Sequence, residues 1–460
     1  MQLLFIHGWG TTNTDSYGQL PQALVKRLSL HQVDVDIQHV FLGRYISFHD
    51  EVSMDDIARA LNRALEDLPG NSTGNIQSFS CVTHSTGGPV LRYWVNKYYG
   101  KDNLASLPLK HLVMLAPANH GSALAKLGKA RVGRLKAWFS GVEPGQRVLD
   151  WLSLGSDGQW DLNNAFLNYD YTHTSFYPFV LAGQGIDHQF YDFLNSYLIE
   201  SGSDGVIRVA GANMNYRSVT LRQVTDNSIR KSPLTYPLKS DEQVKMSPDV
   251  PLGVYPKYSH VGKKMGIMQC VKADDVELAL VQDIIKCMLV QDQQDYSQCS
   301  EYLKGVTDQN QEGYDRYCML VFNICDDSGT SLNKEDYDLL LLAGKQYQPH
   351  KLPSGFLKDR QMNDASSRLV YYVDANKMKN IKDGRFGIRV IARPQKGFSF
   401  YAEAEFRSDG IAAEDILLPN QTIYINIVLH RFVDKNVFRF GSANAKPFSF
   451  KNTKPSGEEL

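Results

Sequence analysis

The sequence runs to 460 residues, length for roughly two or three domains, with 43% hydrophobic and 22% charged residues, as in an ordinary globular protein. Its formal net charge is −1 and it has no basic block, so bulk charge excludes nucleic acid as an expected partner. No apolar run approaches the roughly 18–20 residues that span a bilayer, and the opening residues read as a strand rather than a leader, so no transmembrane helix and no signal peptide are expected.

In chain order, residues 3–6 form a short apolar strand that runs into the glycine turn His7-Gly8-Trp9-Gly10. Residues 33–40 alternate apolar and polar and suit a second strand. Ile57, Leu61, Ala64, Leu65 and Leu68 recur at helical spacing, which predicts a helix over 54–68. The stretch DLPGNSTGN is a loop, 79–83 a strand, and 89–98 the helix after it. Residues 111–116 and 177–182 read as further buried strands. This β-α-β-α order predicts a mostly parallel sheet covered by helices on both faces, an α/β domain over residues 1–300.

Residues 123–175 interrupt the alternation and read as a cap inserted over the active site. They carry Trp138, Phe139, Trp151 and Trp160, and the stretch KLGKARVGRLKAWF sets bases among apolar residues. That pattern fits either a basic amphipathic helix on an anionic membrane or an ordinary solvated cap helix. From residue 301 to 460 the character changes. Segments 318–325, 368–374, 386–393, 398–406 and 421–433 are rich in Val, Ile, Tyr and Phe. Turn signals such as Asp383-Gly384 and Ser408-Asp409-Gly410 separate them, which predicts a β-rich, sandwich-like antiparallel second domain. Phe438, Phe440, Phe448 and Phe450 near the end complete a sheet edge, pack on the first domain, or enter a lipid surface. Cys81, Cys270, Cys287, Cys299, Cys318 and Cys325 form no CxxC pair and do not cluster with histidine, so free thiols are expected.

The chemistry is concentrated in Thr83-His84-Ser85-Thr86-Gly87-Gly88. It follows an apolar strand and precedes a helix, the setting of a nucleophile elbow. There a tight turn pushes a serine hydroxyl above the sheet and small neighbours let strand and helix approach. Thr83 stands where G-x-S-x-G has its first glycine, and Gly87 keeps the second position. The backbone N–H of Thr86 and that of Trp9 are the expected oxyanion donors. An acid and a histidine must follow the serine. Asp204, in Ser203-Asp204-Gly205, comes after a late strand, whereas the similar Asp157 falls inside the cap. Of the later histidines His350 and His430 belong to the β-rich region, which leaves His260 as the expected base. His84 and His120 read as structural. No HExxH, phosphate-cradling glycine loop or dinucleotide fingerprint occurs, so neither a metal nor a cofactor is expected.

The elbow THSTGG, the stretch LAPANHGSALA and the stretch SDGVIRVAGANM resemble bacterial lipases, and with the β-rich second region the chain is similar to the PlaB-type bacterial phospholipases A/lysophospholipases A. The resemblance assigns nucleophile, acid and base to Ser85, Asp204 and His260. It implies hydrolysis of acyl chains from phospholipids and lysophospholipids, peripheral membrane association, and homo-oligomers. The motifs themselves leave open a neutral-lipid lipase, a carboxylesterase or an acyltransferase on the same scaffold, or a non-catalytic binding module of this fold.

Overall fold

The computed structural model describes residues 1–7, 14–47, 49–127, 145–186, 201–225, 235–240, 243–393 and 399–433. The first half runs β1 (Gln2–His7), α1 (Leu20–Leu30), β2 (Asp36–Phe41), α2 (Met54–Glu66), β3 (Phe79–His84), α3 (Gly87–Tyr98), β4 (Leu109–Leu115), α4 (Gln146–Leu152), α5 (Asp157–Phe166) and β5 (Tyr177–Gly183). There follow α6 (Val209–Ala212), β6 (Tyr216–Gln223), β7 (Thr235–Ser240), β8 (Lys245–Met246), β9 (Leu252–Tyr255), α7 (Ala279–Met288) and α8 (Gln293–Asn310). The chain continues through β10 (Tyr317–Asp326), β11 (Tyr337–Ala343), β12 (Leu357–Met362), β13 (Leu369–Asp374), β14 (Phe386–Ala392), β15 (Ser399–Phe400), β16 (Glu403–Arg407), α9 (Ala413–Ile416), β17 (Thr422–Leu429) and β18 (Phe432–Val433).

Six strands form a parallel sheet in the order β2-β1-β3-β4-β5-β9. Its inner strands are buried on both faces, so successive side chains enter different cores. Leu4 and Ile6 of β1 face α2 and α3, while Leu3 and Phe5 face α1, α7 and α8. Local signals set the helices. Ser53 caps α2 reciprocally: its Oγ accepts from Asp56 N and its own N–H donates to the Asp56 carboxylate, worth about 1 kcal/mol. This is the α/β-hydrolase half; β1, β3, β4 and β5 lie within a residue or two of their expected places, β2 starts later than expected, and β9 was not expected.

The second sheet holds ten described strands and is mixed rather than purely antiparallel. β17 runs parallel to both β10 and β6, and β16 runs parallel to β7. The sheet curls so that Leu339 of β11 and Tyr371 of β13, from opposite ends, share one core. It draws β6, β7 and β8 from before residue 300. Its central strands are two-sided: Cys318, Leu320 and Phe322 of β10 enter the core of the curled sheet, whereas Tyr317, Met319 and Val321 enter the core of the hydrolase half.

The described part of the expected cap is α4 and α5, which pack with α3 into the same core as Val370 and Tyr424 of the second sheet. The rest of the basic amphipathic stretch, 128–144 with Trp138 and Phe139, lies outside the described residues, as do the four tail phenylalanines.

Candidate active site

The elbow is a tight join between β3 and α3. Ser85 has φ 56°, in the left-handed region that costs a side-chain-bearing residue about 1–2 kcal/mol. Hydrogen bonds hold it there: Ser85 N donates to Leu115 O at 3.0 Å and Ala118 N donates to Ser85 O at 3.2 Å. The glycines answer to space. A Cβ on Gly88 would lie 2.7 Å from Pro117 Cβ, and one on Gly87 would lie 3.0 Å from Thr83 Cβ. Thr86 N–H, at the amino end of α3, takes no acceptor among the described residues, and the helix dipole makes that end favourable for negative charge.

Three side chains from distant parts of the chain meet at this turn. His260 Nε2 lies 2.9 Å from Ser85 Oγ, and His260 Nδ1 lies 2.8 Å from Asp204 Oδ2. With Nδ1–H donating to the carboxylate, Nε2 is left to accept the serine proton. Asp204 is fixed from behind: its Oδ1 accepts from Val206 N at 3.0 Å and Ile207 N at 2.7 Å, and its carbonyl accepts from His260 N at 2.9 Å. All three residues are buried, Ser85 at 5% exposure and His260 at 0%. In that low-dielectric setting each charged contact is stronger than in water.

His84, next to the serine, packs its ring 4.5 Å from that of His260 and donates from Nε2 to the His260 carbonyl at 3.0 Å. Burial, then the neighbouring imidazole, hold His84 well below the ordinary imidazole range, so it stays neutral and steers the backbone of His260. His120 is buried between Tyr424 Oη, which donates to its Nδ1 at 2.7 Å, and Asn213 O, which accepts from its Nε2 at 2.7 Å. Asp157 pairs with Arg368 of the second sheet at 2.7 Å, His430 with Asp327 at 2.6 Å, and His350 is exposed. None of these three joins Ser85. Trp9 falls outside the described residues. Among the described residues no group of three His, Cys, Asp or Glu side chains has a metal-binding arrangement.

Sequence reasoning gave no role to Arg208, four residues after Asp204, though an arginine inside the apolar run Val206-Ile207-Arg208-Val209-Ala210 was a usable signal. It is 3% exposed, and its guanidinium lies over the Tyr372 ring of β13, 4.1 Å from the centroid.

A parallel sheet with helices on both faces, and a strained serine at the carboxyl end of a central strand within reach of an imidazole and a buried carboxylate, together define an α/β-hydrolase. The chain is 39% identical to phospholipase PlaB from Legionella pneumophila, with 100% of both chains covered and a TM-score of 0.85. The structure of that phospholipase in complex with thio-NAD gives the same identity and coverage with a TM-score of 0.86. The chain therefore belongs to the PlaB phospholipase family, and it is an ester hydrolase of the α/β-hydrolase superfamily. No protein-family model and no curated protein matches it. No described helix is long and apolar enough to cross a membrane.

Proposed function

We propose that the chain hydrolyses the acyl esters of phospholipids and lysophospholipids through an acyl-enzyme on Ser85. The observation that carries this reading is the unbroken contact from Asp204 through His260 to Ser85 Oγ, in a chain alike along its whole length to a phospholipase. His260 takes the Ser85 proton as Oγ attacks the ester carbonyl, and Asp204 holds the imidazole in the required tautomer and offsets its charge. The N–H of Thr86, with that of Trp9, binds the oxyanion. Loss of one such donor costs on the order of 3 kcal/mol of barrier. His260 then protonates the leaving alcohol, and water, deprotonated by the same imidazole, releases the fatty acid.

We further propose, as the resemblance read from the sequence motifs implies, that the protein works as a homo-oligomer at a membrane surface, with residues 1–300 carrying the chemistry and 301–460 supporting it. The deciding experiment presents mixed phospholipid and lysophospholipid vesicles and profiles the products. Free fatty acid is expected, and Ser85→Ala should lower its release by about 10⁴-fold or more. A fluorophosphonate probe should label Ser85. Absence of label on folded protein, or turnover of neutral lipid with phospholipid left intact, overturns the reading.

A further inference from the structure

We infer that Arg208 is a positioning residue for Asp204, held by Tyr372 and Asp359 of the second sheet. This rests on the reading of Asp204 as the acid that orients His260. The acid sits in a closed loop. Val209 N donates to Gly202 O at 2.9 Å, and Ser203 and Arg208 form an antiparallel bridge across the mouth. Inside the loop the Asp204 carboxylate accepts the two backbone N–H groups and faces His260.

Among the described residues, Gly202 and Arg208 are gripped from β10, β12 and β13, three adjacent strands of the second sheet, while Ser122 Oγ of the hydrolase half donates to Val206 O at 2.7 Å. Gly202, with φ +79°, lies flat on Tyr317, and a Cβ there would meet the ring at 2.2 Å. Tyr317 and Tyr372 stack with centroids 4.7 Å apart, and the Tyr372 hydroxyl reaches Gly202 O at 3.2 Å. Arg208 runs across the Tyr372 ring and ends in an ion pair with the Asp359 carboxylate. A guanidinium both stacked and paired in a buried setting fixes its own backbone, and that backbone is the mouth of the acid loop. Lysine in its place keeps the charge but has no planar fork to stack on the ring.

The test uses the full chain with Arg208→Lys, Asp359→Asn and Asp204→Asn. An offset of about 1 Å at a catalytic contact costs on the order of 10²-fold, so kcat of Arg208→Lys is expected to fall about 10- to 100-fold with KM within about two-fold. Asp359→Asn, at the more exposed end of the pair, should lose about 3- to 10-fold, and the double variant with Arg208→Lys should be no worse than Arg208→Lys, because both act through one contact. In parallel the far-downfield proton resonance of the bond between His260 and Asp204 should broaden or vanish in Arg208→Lys, while thermal unfolding stays cooperative. If both single variants fold and keep kcat within about two-fold, or if kcat falls while that resonance is untouched, the inference is overturned. If Arg208→Lys does not fold, Asp359→Asn alone decides by the same criteria. An Asp204→Asn enzyme with undiminished kcat would instead sink the reading of Asp204, and the inference with it. A dead Asp204→Asn beside unaffected Arg208 and Asp359 variants sinks the inference alone.

Discussion

Thr83, two residues before the strained Ser85, carries a hydroxyl that is buried with no partner among the described residues. An orphaned buried hydroxyl costs about 1–3 kcal/mol, whereas its isosteric apolar replacement costs little. Thr83→Val is therefore expected to raise the unfolding free energy by about 1 kcal/mol at unchanged kcat, read from urea titration and ester turnover. The buried histidines set an acid limit. Burial, then His39, holds His7 down to about 3, and burial, then Arg92, holds His120 down to about 3. The unfolded chain takes up those protons near pH 6.5 and the folded chain only near pH 3, so stability falls as pH falls between the two values. The expected slope is up to about 1.4 kcal/mol per pH unit for each histidine, checked by urea midpoints at several pH values. A flat profile from neutral to mildly acidic pH would contradict neutral burial. At this scale the sequence was informative wherever chemistry forces a pattern: a serine followed by Thr86, Gly87 and Gly88 after a strand, then acid, then histidine. It marked Arg208 only as an arginine inside an apolar run, because only the tertiary fold puts Tyr372 beneath it.

The elements hold the site through close approach and shared polar contacts. Gly88 brings α3 onto the loop after β4, and a methyl group there has no room beside Pro117 and Met114. Gly88→Ala should destabilise by about 1–3 kcal/mol or more through overpacking and lower kcat as Ser85 shifts, read from thermal unfolding and turnover. Tyr424 of β17 is the donor to His120 and also the acceptor for Asn163 Nδ2 of α5 at 2.9 Å. Tyr424→Phe leaves His120 Nδ1 buried and unpaired, an expected loss of about 1–3 kcal/mol in urea unfolding. Most strands of the parallel sheet were legible because two-sided burial gives continuous apolar runs bounded by turns. β12 was not, since its sequence Leu-Lys-Asp-Arg-Gln-Met is polar and it stands at a sheet edge, held by pairing with β13. β9 was missed because four residues, Leu252–Tyr255, carry too little periodicity to distinguish from a loop. Strand direction in the second sheet is a property of partners brought together by folding, which no local pattern encodes.

As a whole the molecule is layered: helices, parallel sheet, a shared core, then the curled sheet, whose central strands are apolar on both sides. A fragment ending near residue 300 would expose the surface now covered by Met319, Val321, Val370 and Tyr424, and it would leave β6 without β17. It is expected to be insoluble or molten, with lost near-ultraviolet dichroism and no phosphonate labelling, whereas co-expression with the remainder should restore both. Chain order gives the grip on Gly202 and Arg208 a temporal meaning. The acid loop leaves the ribosome well before Tyr317, Asp359 and Tyr372 exist. At about 5–20 residues per second the interval is on the order of ten seconds. On the reading of Asp204 as the acid, a nascent chain thus carries an unbraced acid loop until residue 372 has been made.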